Sequence, residues 1–260
     1  MEILTAVIIV GVIALICGVG LSVASVIMSV PTDETVTAVR NELPGANCGA
    51  CGYSGCDGYA EALAKGEAKP GLCSPGGESV NKKIAEILGV DSETAERKTA
   101  FVMCNGNCEN TEKKYIYEGI NSCAAVNMLY GGDGSCGFGC LGYGDCVSVC
   151  KFSAISVQNG VAAVDKNLCT ACGMCVGACP KKIIETVPFS KTFGVLCSNK
   201  DKGAVTRKVC KTGCIGCMKC QKVCEFGAIT VNNNVAKIDY SKCTDCGKCA
   251  ENCPVNAIEK

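Results

Sequence analysis

The longest apolar stretch of the chain runs from Ile3 to Val30 and contains no Asp, Glu, Lys or Arg. A helix rises about 1.5 Å per residue, so this stretch is long enough to cross the ~30 Å hydrocarbon core of a bilayer. It lacks the basic n-region and the small-x-small cleavage site of a secretory signal. The pattern therefore predicts an uncleaved, single-pass transmembrane anchor over residues 1–30.

Beyond the anchor, the apolar positions follow short helical and strand periods. Thr32-Asp33 begins a helical pattern that Pro44-Gly45 ends, and a second amphipathic helix is predicted from Glu78 to Leu88, before Gly89. Short apolar runs predict strands around residues 154–157, 161–164, 228–231 and 235–238. We therefore expect an α+β protein in which a small helical domain follows the anchor and short strand pairs follow the helical domain.

The chain contains 26 cysteines and no histidine. The absence of histidine excludes histidine-ligated haem, mixed Cys/His zinc fingers and hydrolytic sites that use a histidine base. All-thiolate iron–sulfur ligation, all-cysteine zinc and disulfides remain. The spacing of the cysteines distinguishes these three classes.

Two cysteine runs near the C-terminus have the spacing of bacterial ferredoxins. They are Cys214-x2-Cys217-x2-Cys220-x3-Cys224 and Cys243-x2-Cys246-x2-Cys249-x3-Cys253-Pro. In ferredoxins of this type, three close cysteines hold one cluster and the fourth ligates the neighbouring cluster. We therefore expect one [4Fe–4S] cluster on Cys214, Cys217, Cys220 and Cys253, and another on Cys243, Cys246, Cys249 and Cys224. Such triplets fit disulfides and structural zinc poorly.

The same module occurs twice, because a shift of 74 residues superimposes Cys136–Cys179 on Cys210–Cys253. Tyr143 stands where the second copy has Cys217. We expect Cys136 to take the place of that missing ligand. The first copy would then use Cys136, Cys140, Cys146 and Cys179 for one cluster, and Cys150, Cys169, Cys172 and Cys175 for the other.

A different cluster motif precedes the repeats. Its ligands would be Cys48, Cys51, Cys56 and Cys73. Gly49, Gly52 and Gly55 are expected to adopt positive φ and to turn their N–H groups toward sulfur. A zinc knuckle is the alternative interpretation of this motif.

Six cysteines remain after five clusters are assigned. They are Cys17, Cys104, Cys108, Cys123, Cys197 and Cys210. Cys104, Cys108 and Cys123, together with Cys197 or Cys210, could hold a sixth cluster. Packing as free thiols explains them equally well.

Charge is uneven although the net charge is zero. Residues 188–260 carry 12 Lys or Arg against 6 Asp or Glu. A basic insert precedes the last module and comprises Lys200, Lys202, Arg207, Lys208 and Lys211. This insert either docks an acidic soluble electron carrier or offsets the negative charge of the clusters. Without interleaved aromatic residues it does not indicate nucleic-acid binding.

The order of these motifs resembles that of the B subunits of Rnf-type ferredoxin:NAD⁺ oxidoreductase complexes. The resemblance covers essentially the whole chain and includes Leu43-Pro44-Gly45-Ala46-Asn47 before the first cluster motif. The segment Gly139–Cys146 indicates the longer, multi-cluster variety. The resemblance implies a subunit that accepts electrons from reduced ferredoxin (or flavodoxin) and passes them to partner subunits. The complex would couple the transfer to NAD⁺ reduction and Na⁺ or H⁺ export. We expect five [4Fe–4S] clusters or six, and no flavin or NAD site in this chain.

The location follows from the chemistry, because iron–sulfur assembly needs the reduced thiols of the cytosol. We therefore predict a protein of the inner (cytoplasmic) membrane with its N-terminus outside and its cluster domains inside. The expected domains are the anchor at 1–30, a helical 4Fe–4S domain at 31–95, a connector at 96–132, and tandem ferredoxin-like modules at 133–187 and 188–260.

Two other functions are compatible with this sequence. One is a polyferredoxin subunit of another membrane oxidoreductase, such as a hydrogenase. The other is a membrane-tethered module that senses redox state or reduces a regulator without pumping ions.

Overall fold

The computed structural model describes residues 2–27, 33–90 and 96–259. The first element, α1, spans Glu2–Ile27, and its side chains are exposed from residue 8 to residue 25. By length and composition this is the one described helix that could cross a membrane. The predicted end of the anchor at residue 30 and the helix-start residue Thr32 lie outside the described residues.

A small helical domain occupies residues 33–90. It contains α2 (Glu34–Glu42), α3 (Cys56–Ala64) and α4 (Gly77–Leu88). Asp33 caps α2 by accepting the Thr35 N–H at 2.9 Å, and α4 ends at Gly89 in the left-handed conformation, so both predicted helices are confirmed. The three helices enclose Val39, Tyr59 and Ile84.

Residues 96–259 form short helices and four two-stranded antiparallel sheets. The strands are β1 (Lys98–Val102), β2 (Ile155–Gln158), β3 (Val161–Val164), β4 (Ile184–Pro188), β5 (Gly194–Val195), β6 (Ile229–Asn232), β7 (Val235–Ile238) and β8 (Ile258–Glu259). The helices are α5 (Cys123–Asn127), α6 (Asp145–Ser148), α7 (Met174–Ala178), α8 (Gly203–Val209), α9 (Lys219–Val223) and α10 (Lys248–Glu251). The predicted strand pairs are confirmed as the hairpins β2–β3 and β6–β7. The two hairpins have the same register after the 74-residue shift of the repeat, since Ile155 pairs with Val164 and Ile229 pairs with Ile238.

Two further sheets join segments that are distant in sequence. β1 pairs with β4 from Lys98↔Pro188 to Val102↔Ile184, and β5 pairs with β8. β1 comes from the predicted connector, yet it completes a sheet with a strand of the first repeat. Both β1 and β5 are followed two residues later by a cysteine, Cys104 and Cys197.

Cysteines form a large part of both cores in residues 96–259. The first core combines Ile155, Ile183 and Ile184 with buried Cys146, Cys169 and Cys175. The second core likewise contains Cys197, Cys214 and Cys220. Aliphatic side chains make up the rest of each core, but within residues 96–259 no sheet has more than two strands, so the thiols and what they bind contribute much of the interior.

Candidate metal centres

In the helical domain, the cysteines of the first motif come together. Cys56 begins α3, and it packs with Cys51 and the buried Cys73 in one cluster of side chains. Burial, followed by the nearby thiols of Cys56, Cys48 and Cys51, raises the pKa of Cys73. The four predicted ligands are therefore neighbours.

The glycines of this motif only partly follow the prediction. Gly49 and Gly52 have positive φ (72° and 88°), whereas Gly55 is extended. The Gly52 N–H donates to the Gly49 carbonyl at 2.9 Å and not to a sulfur atom. At Gly55 the constraint is steric, because an added Cβ would lie 3.1 Å from Asn47 Oδ1, which accepts the Cys56 N–H. The Gly52 N–H and the close approach at Gly55 therefore shape the loop around the cysteines.

Three of the predicted ligand sets of the ferredoxin-like repeats also gather as expected. One cavity is lined by Cys150, Cys169, Cys172 and Cys175, and its repeat equivalent is lined by Cys224, Cys243, Cys246 and Cys249. The third set surrounds Cys220, where burial and the thiols of Cys214, Cys217 and Cys253 raise the pKa to about 11. Equivalent N–H groups point at sulfur in both copies, from Ala171 to Cys169 (3.4 Å) and from Asp245 to Cys243 (3.4 Å).

The fourth set of the repeats differs from the prediction. The cavity next to Cys140, Cys146 and Cys179 is lined by Cys123, and Cys136 is not among its lining residues. Burial and the thiols of Cys140, Cys123 and Cys179 raise the pKa of Cys146 to about 12. The structure therefore places Cys123, and not the expected Cys136, beside the other three cysteines of this set.

Cys136 lies instead in a cavity between the two repeats. The cysteines that line this cavity are Cys104, Cys136, Cys197 and Cys210, together with Cys140 from the adjoining set. Asn199 donates from Nδ2 to Cys136 Sγ at 3.5 Å, and Thr212 Oγ1 lies 3.7 Å from Cys210 Sγ. The structure does not bring Cys108 and Cys123 together with Cys104, because Cys123 lines a different cavity and Cys108 is exposed.

This additional site has an internal symmetry that follows the repeat. Cys104 accepts N–H groups from Gly106 and Cys140, both at 3.3 Å. Cys197 accepts them from Asn199 at 3.5 Å and from Cys214 at 3.2 Å. Cys140 and Cys214 are equivalent in the repeat, as are Cys136 and Cys210. Each half of residues 96–259 thus contributes two cysteines to the site. One follows a strand (Cys104 after β1, Cys197 after β5), and the other precedes the ferredoxin motif (Cys136 and Cys210).

The chemistry of these sites fits clusters better than single ions. Burial raises the pKa of the Cys104 thiol to about 12 and that of Cys197 to about 11, so metal-free thiols there stay protonated at neutral pH. Thiolate ligation requires metal cations to compensate the buried charge. Within the described residues, no three Cys, Asp or Glu side chains converge closely enough on one metal ion. In a four-iron cluster each thiolate binds its own iron, so the four sulfur atoms can lie further apart than the four ligands of a single zinc ion.

Comparison with protein families agrees with this geometry. A model described as a putative Fe–S cluster matches residues 43–75, a 4Fe–4S binding domain matches residues 162–185, and a 4Fe–4S dicluster domain matches residues 213–257. The chain is 46% identical over 251 residues to the B subunit of the Na(+)-translocating ferredoxin:NAD(+) oxidoreductase complex of Acetobacterium woodii, covering 96% of this chain and 75% of that protein.

Two further relatives align over most of both chains. The B subunit of the ion-translocating oxidoreductase complex of Methanosarcina acetivorans is 39% identical, over 93% of this chain and 92% of that protein. The B subunit of the proton-translocating ferredoxin:NAD(+) oxidoreductase complex of Clostridium ljungdahlii is 38% identical, over 95% and 89%. The chain belongs to the family of Rnf-type B subunits. It is an iron–sulfur electron-transfer subunit of an ion-translocating oxidoreductase, and it carries multiple [4Fe–4S] clusters.

In this electron-transfer subunit, the basic insert is exposed beside the site between the repeats. The five side chains Lys200, Lys202, Arg207, Lys208 and Lys211 all face solvent. None of them forms an ion pair within the described part of the chain, although Lys211 donates to the Glu109 carbonyl at 2.8 Å. α8 carries Arg207 and Lys208 and lies between Cys197 and Cys210. The insert therefore gives the neighbourhood of these two cysteines a positive surface.

Proposed function

We propose that this protein accepts electrons from reduced ferredoxin, or flavodoxin, at the cytoplasmic face of a membrane and relays them to the other subunits of its complex. The complex couples this transfer to NAD⁺ reduction and to Na⁺ or H⁺ translocation. The observation that carries the proposal is the continuous series of cysteine sets in residues 48–253. The names of the relatives from Acetobacterium woodii and Clostridium ljungdahlii support the donor and the acceptor.

The chain is divided as the sequence analysis predicts, with an anchor, a helical 4Fe–4S domain, a connector and two tandem ferredoxin-like modules. α1 inserts in the inner membrane with its N-terminus outside, and the cluster domains face the cytosol. The exposed apolar surface of α1 supports the anchoring role. The two hairpins with matching registers support the tandem arrangement.

A sixth [4Fe–4S] cluster binds to Cys104, Cys136, Cys197 and Cys210. The paired contacts of Cys104 and Cys197 with equivalent N–H donors support it, because such hydrogen bonds stabilise a thiolate. The gathering of four buried or half-buried thiols around one cavity supports it as well.

Contacts between neighbouring sets give the order of the sites. The sixth site adjoins the first module through the N–H of Cys140 and the second module through the N–H of Cys214. At the other end, a cleft lined by both Cys73 and Cys169 separates the helical domain from the first module. We therefore infer a path from the second module, through the sixth site and the first module, to the helical domain next to the anchor.

The protein's own residues hold the cluster ligands in place and surround them with hydrogen-bond donors. A bound [4Fe–4S] cluster supplies a one-electron redox centre. Backbone N–H groups that point at sulfur stabilise the negative thiolates, and they are unequally distributed among the sites. Cys197 accepts two of them, whereas Cys253 accepts one, from Ala257 at 3.2 Å. Such differences are one way in which a protein sets the order of cluster potentials.

The delivery role of the helical domain is tested by the Cys48→Ala variant in the whole complex. We expect ferredoxin to reduce the clusters of the two modules as before, while reduction of the membrane partner is lost, because the last carrier before the membrane is damaged. Rapid-freeze paramagnetic resonance and NADH formation measure the two steps. Ferredoxin-driven reduction of the membrane partner at the native rate would contradict the delivery role.

The same preparation distinguishes the other functions. Reconstitution of the native complex in liposomes, with reduced ferredoxin and NAD⁺, should yield NADH together with ion uptake. Copurifying hydrogenase-type subunits would favour the polyferredoxin alternative. Electron transfer without ion uptake would favour a redox-sensing or regulator-reducing module.

The basic insert docks the acidic donor. Four of its five exposed cations lie between Cys197 and Cys210 along the chain, and Lys211 follows Cys210, so a carrier bound there would lie next to the sixth site and close to Cys214. Positive surface of this kind raises the association rate with a negative partner and loses that effect at high salt.

Charge reversal tests this docking surface. The double variant Lys202→Glu/Lys208→Glu should lower the second-order rate of reduction by ferredoxin about tenfold at low ionic strength, with kcat retained. The matched control is Lys82→Glu, an exposed change on α4 of the helical domain. If the control and the double variant slow reduction equally, or if neither changes its salt dependence, the insert is not the docking surface.

A further inference from the structure

The first repeat has lost a ligand that the second repeat keeps. Cys217 of the second copy corresponds to Tyr143, and the backbone around the two positions is the same. The flanking residues have positive φ in both copies, Gly142 (77°) and Gly144 (81°) against Gly216 (65°) and Met218 (60°). Both loops also approach the following hairpin turn at the same point, Gly142 at Gly160 and Gly216 at Asn234. The main chain is thus ready for a ligand at position 143.

The side chain of Tyr143 is fully used elsewhere. Its hydroxyl donates to Oδ2 of Asp133 at 2.8 Å, and Asp133 is buried (2% exposed) and also paired with Lys113. The ring packs edge-on against Tyr117, with centroids 5.8 Å apart. Tyr143 therefore serves the packing of the connector against the first module.

Cys123 fills the place that this substitution leaves open. It is 8% exposed and begins α5, which belongs to the connector. Its thiol lines the same cavity as Cys140, Cys146 and Cys179.

The segment around Cys123 is held by one carboxylate. Asp145 accepts the N–H groups of Cys123 and Ala124, both at 2.8 Å, and the hydroxyl of Ser122 at 3.0 Å. Asp145 directly precedes the ligand Cys146, so these three contacts couple the connector to the cluster loop. The second repeat, which needs no such segment, has Lys219 at this position.

We propose that Cys123 is the fourth ligand of the cluster held by Cys140, Cys146 and Cys179 in the first module. It takes the place of the equivalent of Cys217, and Asp145 is the positioning residue that holds it there. Ligation removes the proton of the Cys123 thiol and forms an iron–sulfur bond. The exchange also leaves Cys136 available to the site between the repeats. This inference rests on the proposed function, because it assumes that the site binds a [4Fe–4S] cluster.

A crossed rescue experiment tests the ligand assignment in the full chain, purified anaerobically and reconstituted with iron and sulfide. Cys123→Ala should lose about four irons per chain, or convert one cluster to a three-iron form with its own paramagnetic resonance signal. Cys123→Ala/Tyr143→Cys should restore the native iron count and spectrum, because the thiol returns to the repeat position. Tyr143→Cys should not restore the iron that Cys136→Ala loses, because Cys136 lines the cavity between the two repeats.

The outcomes separate the alternatives. If Cys123→Ala keeps the native iron count and spectrum, or if Tyr143→Cys rescues Cys136→Ala instead, the inference is wrong. A native chain without any cluster signal would overturn the proposed function itself. Cys108→Ala, an exposed cysteine that lines none of these cavities, is the matched control and should behave as the native chain.

The role of Asp145 has a test of its own. Asp145→Ala should lower cluster occupancy in the native background, because the Cys123 segment loses three hydrogen bonds. In the Cys123→Ala/Tyr143→Cys background the same change should have no further effect, since the ligand no longer lies on that segment. An equal loss of occupancy in both backgrounds would show a general structural role and contradict the positioning role.

Discussion

Removal of iron should unfold residues 96–259 of this protein while much of the helical structure of residues 33–90 remains. The second part has only two-stranded sheets and helices of at most seven residues, α8 being the longest. Isolated hairpins and helices of this length are marginal in water. Three of the eleven buried residues of the first core and three of the nine of the second core are cysteines, and half-buried cysteines pack against both, so the packing of these cores depends on bound metal.

The helical domain provides the contrast within the same chain. Its helices are longer, and Tyr59, Leu63 and Ile84 give it a core besides the cysteines. Anaerobic chelation, followed by far-ultraviolet circular dichroism and limited proteolysis, should show loss of the strand signal and cleavage after residue 96. Addition of iron and sulfide should reverse both changes. Retention of a cooperative thermal transition in the iron-free modules would contradict the expectation.

Cys197→Ala should interrupt electron transfer between the two modules. The variant removes one ligand of the sixth site, which touches the first module through Cys140 and the second through Cys214. We expect a loss of about four irons per chain and reduction by ferredoxin that stops at the clusters of the second module. Iron analysis and rapid-freeze paramagnetic resonance measure the two effects.

A second variant of the same site and a control variant decide what this result means. Cys210→Ala should reproduce the defect, because it removes another ligand of the same site, whereas Cys108→Ala should leave iron content and electron transfer unchanged. An unchanged iron count in both Cys197→Ala and Cys210→Ala would mean that these thiols bind no cluster. Rapid reduction of the helical domain despite the lost iron would mean that the path bypasses this site.

Local features of the fold were predictable because neighbouring residues create them. Asp33 and Gly89 define helix ends by capping, and two short apolar runs within residues 154–164 predict the strands of a hairpin. The close triplets of the ferredoxin motifs behave in the same way, since chain connectivity alone brings Cys169, Cys172 and Cys175 together. The ferredoxin spacing predicts that Cys150 and Cys224 join these triplets, and the structure places each of them in the same cavity as its triplet.

The differences from the expected ligand sets concern residues whose partners lie far away in sequence. Cys136 lies close to the first module along the chain and Cys123 lies near Cys104 and Cys108, yet the structure places both elsewhere. One signal could have indicated this, since Val102-Met103-Cys104 and Val195-Leu196-Cys197 share a strand-then-cysteine pattern. The pairing of β1 with β4 and of β5 with β8, which places these two cysteines, has no local signature.

The sequence by itself determined the inorganic chemistry, the long apolar N-terminal helix, the family and the triplets of the ferredoxin motifs, because composition and short-range spacing decide these features. Tertiary structure alone decided that Cys123 lies at the first module and that Cys104, Cys136, Cys197 and Cys210 meet between the repeats. A fourth thiol can approach a cluster site from any part of the chain. Which one does so depends on how the connector packs and which distant strands pair, and spacing along the chain does not encode either.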